Sequence, residues 1–231
     1  MADFDVMCDT YGDVLDKDLH ISGERHSYFA EFKALWIKKF LDKKAICQNP
    51  KLLDIGCGTG TLHDHINSHI PKATCYGIDI SFRSIEKARL ENKGIRSFYC
   101  AYNGINIPFK DDSFDSAILA GVLHHVSKEV TSEILKEARR VVAPGGYLII
   151  FEHNPCNPVT RYIVKKCVID KGAKLLDLKT TRGLLSRCDF EVIRADYIVF
   201  FPHFLRIFRF LEERLSWLFL GAQYVIVAKK I

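Results

Sequence analysis

Between Leu52 and Gly60 an apolar run carries an aspartate, Asp54, into three glycines at alternate positions, Gly56, Gly58 and Gly60, with Cys57 between the first two. A second aspartate, Asp79, closes the next apolar run, in YGIDIS. Glycine has no Cβ, so a ligand approaches the backbone closely and the chain can take φ > 0. A helix starting directly after the glycines offers unpaired N–H groups and a partial positive charge. A carboxylate at the end of the following strand can accept from both hydroxyls of a ribose. The residues therefore ask for a nucleotide-like ligand. The spacing G-x-G-x-G departs from the G-x-G-x-x-G of dinucleotide sites, and position alone does not separate nicotinamide cofactors from other adenosine ligands.

These residues need strand–turn–helix units to position them. From residue 51 the apolar pattern predicts strands at Leu52–Ile55, Thr74–Ile80, Arg96–Tyr102, Phe114–Ala120 and Tyr147–His153. Helices are predicted at Gly60–His69, Phe82–Asn92, with Ser81 as its cap, and Glu129–Val142, the last stopped by Pro144-Gly145-Gly146. Runs such as DSAILAG and GYLIIFEH are apolar almost throughout, as in strands covered on both faces of a parallel sheet. The fold class is α/β, an open doubly wound sheet with ligands at the carboxyl ends of its strands.

The flanks read differently. Tyr28–Leu41 has helical rhythm, Tyr11–Gly23 looks irregular, and residues 1–50 together read as a helical N-terminal cover. Within it, Tyr11 is a candidate cap over the ligand cleft, whereas Trp36 and Lys33 read as packing and solvated surface. Residues 51–153 form the cofactor-binding core and 154–231 a substrate-side half, all in one domain (1–231). The second half is predicted to hold short helices at Val159–Ile169 and Lys179–Arg187. Long strands at Phe190–Phe201 and Ala222–Lys229 flank an inserted helix at 203–220. In that helix Phe204, Ile207, Phe208, Leu211, Leu215 and Leu218 form a stripe expected in the core. Phe210 and Trp217 lie off it beside Arg206, a face for an apolar substrate channel, a lipid surface or a dimer contact.

Composition narrows the classes. With 231 residues, 48% hydrophobic and 26% charged, the chain is ordinary globular material. A net charge of +5 is too weak to argue for nucleic acid. No apolar run reaches the roughly 18–20 residues of a membrane span, and MADFDVMCDT lacks the apolar core of a signal peptide. Eight scattered cysteines without a C-x-x-C pair point to a reducing cytoplasm. Among His63, His65 and His69 no spacing completes a metal site, so no metal is expected.

Four stretches in register, LLDIGCGTG, GIDIS, IPFKDDSFDSAILAGVLHHV and EARRVVAPGGYLII, resemble the class I S-adenosylmethionine-dependent methyltransferases of the small-molecule branch. The resemblance implies a Rossmann-like sheet of seven strands in the order 3-2-1-4-5-7-6, the seventh antiparallel. It implies S-adenosylmethionine as cofactor, with Asp54 and Gly56 to Gly60, Cys57 included, at the methionine part. Asp79 would then hold the ribose and Ile80 the adenine, with Ala120 and Gly121 beside the sulfonium. The acidic residue usual after the third strand is replaced here by Tyr102 and Asn103, which would take the adenine contact. Because the cofactor carries an activated methyl, the protein must mainly align an acceptor. Candidate bases or acceptor contacts are His124 and His125 after the fourth strand and His153, beside Glu152 and Asn154, after the fifth. Arg161 could pair with an acceptor carboxylate or phosphate.

The expected protein is thus a cytoplasmic methyltransferase acting on a small-molecule or lipid-like substrate, with no nucleic acid partner. Peripheral membrane contact through 203–219 and a homodimer are both open. A nicotinamide-dependent oxidoreductase and a cofactor-binding protein without turnover are the alternatives.

Overall fold

A computed structural model describes residues 5, 8, 11–44, 48–92 and 96–231, apart from the side chains of Tyr11, Asp18 and Ile21. One seven-stranded sheet organises it. In chain order the strands are β1 Lys51–Ile55, β2 Thr74–Asp79, β3 Ser97–Ala101, β4 Phe114–Ala120, β5 Val142–His153, β6 Phe190–Ile198 and β7 Gln223–Lys230. Their order is β3-β2-β1-β4-β5-β7-β6. The first five pair in parallel, and β7 runs antiparallel to both β5 and β6, as the resemblance implied.

The helices are α1 Tyr11–Leu19, α2 His26–Lys44, α3 Thr61–His69, α4 Phe82–Glu91, α5 Lys128–Val141, α6 Pro158–Lys166 and α7 Leu178–Arg187. Local chemistry sets their starts. The side chains of Ser81, Ser127, Asn157 and Asp177 accept the first free backbone N–H groups of α4 to α7. One face of the sheet packs on α2 and α3 through Ile37, Phe40, Leu62, Ile66, Ile118 and Phe151. The other packs on α5 and α7 through Leu53, Leu119, Leu135, Ala138, Leu185 and Ile226. Trp36 meets Phe151 edge-on at 5.6 Å, which seats α2 against the carboxyl-terminal part of β5.

Three expectations fail locally. Tyr11–Gly23 is not irregular: α1 is followed by a 3₁₀ turn, His20–Ser22, ended by Gly23 at φ +70°. Asp16 of α1 accepts from the His26 N–H (2.7 Å) and lies 2.9 Å from His26 Nδ1, a tie to α2 that the mixed composition hid. Pro144-Gly145-Gly146 does not end the helix in a free turn but lies inside β5, where the β4–β5 register shifts between Phe114 and Ser116.

The third concerns the inserted helix, which is a 3₁₀ segment, His203–Leu215, with Leu205 out of helical geometry. None of its six stripe residues is buried, and Phe204 and Ile207 are each 74% exposed. Two charged residues, Glu212 and Arg209, turn inward instead. Glu212 accepts from the N–H groups of Phe200 and Phe201, both at 3.1 Å, and Arg209 donates to the Phe201 carbonyl. With its acid and arginine spent on the preceding loop, the segment presents Phe204, Ile207, Phe210, Trp217 and Phe219 outward.

Candidate active site

The glycine turn adopts the strained geometry it was chosen for. Gly56, Gly58 and Gly60 have φ of +80°, +53° and +79°. A Cβ on Gly56 would stand 2.5 Å from Val122 Cγ2, and one on Gly60 2.6 Å from the Tyr99 hydroxyl. Asp79 holds the turn from β2: its Oδ2 accepts from the Gly58 N–H and its Oδ1 from the Ser81 N–H, both at 2.8 Å. Burial raises the Asp79 pKa and these hydrogen bonds work against the rise. Each oxygen retains a lone pair for a ligand hydroxyl.

A cavity of about 310 Å³ opens above this turn at the strand ends. Gly56, Gly58, Asp79, Ile80, Tyr102, Asn103, Ala120, Gly121 and His125 all line it. Asn103 Oδ1 accepts from the Ile105 and Asn106 N–H groups at 3.0 and 2.8 Å, so its amide nitrogen is the group left for a ligand. Asp54, Cys57 and Gly60 are not on the cavity wall. Asp54 and Cys57 are buried behind the turn, and Asp54 Oδ2 lies 3.3 Å from His63 Nε2, while its Oδ1 has no hydrogen-bond partner. Tyr11 opens α1, but its side chain is outside the described residues.

A second cavity, of about 280 Å³, lies on the far side of β5. Its walls are mostly apolar: Phe29 of α2, Val159, Ile163 and Val164 of α6, Phe200 and Phe204, with His153 at one side. A row of histidines separates the two cavities. The His124 ring lies 4.1 Å from that of His125, which lines the first cavity, and 5.1 Å from that of His153, which lines the second.

The middle member of that row is fixed. His124 Nδ1 is 2.6 Å from Glu152 Oε2, and Glu152 Oε1 accepts from the N–H groups of Val122 (3.0 Å) and Leu123 (2.7 Å). On its other side His124 Nε2 faces Asp170 Oδ1 at 3.4 Å. Burial disfavours a charged His124, but the Glu152 and Asp170 carboxylates win and raise its pKa to about 10. Burial and then the His124 charge lower His125 and His153 to about 4. Glu152 is pulled the other way, its burial outweighed by His124, so its pKa falls. One imidazolium thus sits between two neutral imidazoles.

Two contributors escape the sequence reading. Asp170 lies beyond α6, and no local pattern marks it. Lys33 does not point to solvent: it is half-buried, burial lowers its ammonium pKa, and the Glu152 and Asp54 carboxylates oppose that shift. The signal for Lys33 was present, since it falls on the helical stripe of Phe29, Trp36, Ile37 and Phe40. Arg161, by contrast, is exposed on the outer face of α6.

Sheet order, glycine turn and strand-end cavity together define a Rossmann-like nucleotide-cofactor protein. Residues 53–150 match the family model of the methyltransferase domain. That match covers 98 of the 231 residues and, with the fold, supports a class I S-adenosylmethionine-dependent methyltransferase against the nicotinamide alternative. It is 36% identical over 130 residues to a human protein named probable tRNA methyltransferase 9B, covering 54% of this chain and 26% of that one. It is 27% identical over 151 residues to demethylmenaquinone methyltransferase of Staphylococcus haemolyticus, covering 63% and 58%. The chain thus spans about a quarter to three-fifths of the length of these two relatives. An S-adenosylmethionine-dependent methyltransferase from Thermotoga maritima shares the fold, with TM-score 0.69, 23% identity and coverage of 99% and 98%.

Proposed function

We propose that the chain transfers a methyl group from S-adenosylmethionine to a small, lipid-like acceptor whose apolar part lies in the second cavity. The observation that carries this reading is the apolar cavity bounded by His153 and separated from the cofactor cavity by one row of histidines.

The residues present fit the cofactor. Asp79, on the cavity wall, suits the ribose hydroxyls, while Asp54, with its unpartnered Oδ1, stands behind the turn and off that wall. The free amide nitrogen of Asn103 is a donor, so it suits a ring nitrogen of adenine rather than its amino group. S-Adenosylmethionine, when bound, supplies a methyl already activated on a sulfonium. What remains for the protein is to align the acceptor and take a proton where the acceptor carries one. His153, held neutral and facing the second cavity, is the base in this reading. His125 stands as a neutral contact on the cofactor side, and His124 holds the two rings apart.

The outward apolar face of 203–219 is read as a contact with a lipid surface, with a homodimer as the alternative. No described helix is long and apolar enough to cross a membrane. The seven described cysteines are free thiols, which supports a cytoplasmic setting. A tRNA acceptor is a second reading, favoured by the human relative; the apolar walls beside His153 offer little to a polyanion.

The cofactor assignment is tested by calorimetry with S-adenosylhomocysteine, in which Asp79→Ala should lose at least about tenfold in affinity, one to two hydrogen bonds to a charged group. Unchanged affinity would place the ribose elsewhere. The acceptor assignment is tested with labelled S-adenosylmethionine against quinone-, sterol- and fatty-chain hydroxyl acceptors beside unmodified tRNA. Label in tRNA alone would replace the lipid-like reading, and label in none would favour a binding protein without turnover.

A further inference from the structure

His124, His125 and Asp170 make a cluster that alignment of an activated methyl does not require. Nε2 of His124 and Nε2 of His125 stand 3.4 and 3.5 Å from Asp170 Oδ1, and the three donor atoms lie within 4.8 Å of one another. Those two separations exceed the roughly 2.7–3.2 Å of a good N–H···O bond. They equal the edge, about 3.4 Å, of a tetrahedron with metal–ligand bonds of about 2.1 Å. The outer shell also has the form such sites need. A histidine ligand commonly gives its second ring N–H to a carboxylate, which fixes the tautomer and raises the basicity of the ligating nitrogen. His124 does this with Glu152 at 2.6 Å, and Glu152 is itself pinned by two backbone N–H groups. The Glu152 and Asp170 carboxylates on either side of His124 supply negative charge that a divalent cation would offset.

We propose that His124 Nε2, His125 Nε2 and Asp170 bind one divalent transition metal ion of the zinc or manganese type, with Glu152 orienting the first ligand. Two imidazoles and one carboxylate suit these borderline ions and leave coordination positions open. His125 is on the wall of the cofactor cavity, so an ion held there would lie beside that cavity. Any role for the ion in methyl transfer rests on the methyltransferase reading; the binding itself does not.

Zinc alone, and manganese alone, are titrated by calorimetry into the chelator-treated full chain with neither cofactor nor acceptor present, so the outcome is independent of the reaction. One ion per chain is expected, with saturation at that ratio. Glu152→Gln should weaken binding by about 10–100-fold, and Asp170→Asn should weaken it further. Cooperative urea unfolding of each variant checks that it is folded, and His125→Gln serves should Asp170→Asn fail that check. Failure of both ions to bind stoichiometrically, or binding by folded Asp170→Asn and His125→Gln at wild-type affinity, overturns the site and leaves an ion-paired imidazolium in its place.

Discussion

Nδ1 of His124 approaches Oε2 of Glu152 to 2.6 Å, and both side chains are shut off from solvent. A buried charge is tolerated only with partners, and these two are each other's main one. Glu152→Ala should therefore cost about 3–5 kcal/mol in urea unfolding, the usual result of stranding half of a buried pair. It also orphans the N–H groups of Val122 and Leu123. Glu152→Gln, which still accepts from both, should lose clearly less. Equal losses in the two variants would show that the charge does not matter.

The same cluster sets how stability follows pH in chelator-treated protein. His125 and His153 are held neutral, with folded pKa values of about 4, so between that point and an unfolded value near 6.5 the unfolded chain binds more protons. Stability then rises with pH. His124 has the opposite sign: its folded pKa of about 10 makes its contribution complete below about pH 6.5 and lost as pH climbs toward 10. Unfolding free energy should peak near neutrality, with slopes of opposite sign on either side. In His124→Gln the alkaline slope should flatten; if it persists, another group carries it.

Gly56→Ala is expected to fail for two separate reasons. The residue sits at φ +80°, which costs an L side chain about 1–2 kcal/mol. The new Cβ also lands 2.5 Å from Val122 Cγ2, on the wall of the cofactor cavity. Affinity for S-adenosylhomocysteine should fall more than the conformational cost alone predicts. In the unliganded protein a Gly58 Cβ meets no atom within 4 Å, so Gly58→Ala should cost the folded chain only that conformational amount in unfolding free energy.

The exposed face of the 3₁₀ segment makes a prediction opposite to the one its periodicity suggests. A core stripe would lose about 2–5 kcal/mol on truncation. Ile207→Ser, on that stripe at 74% exposure, should instead stay within about 0.5 kcal/mol of wild type, as should Trp217→Ser, off the stripe at 75%. Ile37→Ala, fully buried on the sheet-facing side of α2, supplies the large loss for comparison. In vesicle flotation the two exposed variants should lose any lipid retention the wild type shows, and a concentration-dependent sedimentation change without lipid would favour a dimer.

These contrasts show what a linear chain can reveal. The β–α alternation was legible because strands covered on both faces must be apolar throughout, and because glycine, proline and capping serines punctuate them. The glycine turn and Asp79 were legible for the same local reason. The strand order was not a local property and came only through resemblance. At 203–220 the periodicity is real, but which side faces inward was decided by Glu212 and Arg209 meeting the backbone of the preceding loop. The active-site half divides similarly. His124, His125 and His153 lie at strand ends that can be read, whereas Asp170 reaches them only through tertiary folding, and Lys33 was hidden by the habit of placing lysine outside.

The placement of β7 between β5 and β6 has a consequence for biosynthesis. Each of its strand neighbours precedes it in the chain, and β6 pairs with no other strand. A nascent polypeptide that has emerged past Ile198 but not yet past Gln223 carries β6 as an unpaired ribbon and β5 with one open side. A translational pause in that interval would leave these edges to chaperones or to neighbouring ribosomes, until eight residues slot in and close one side of each strand at once.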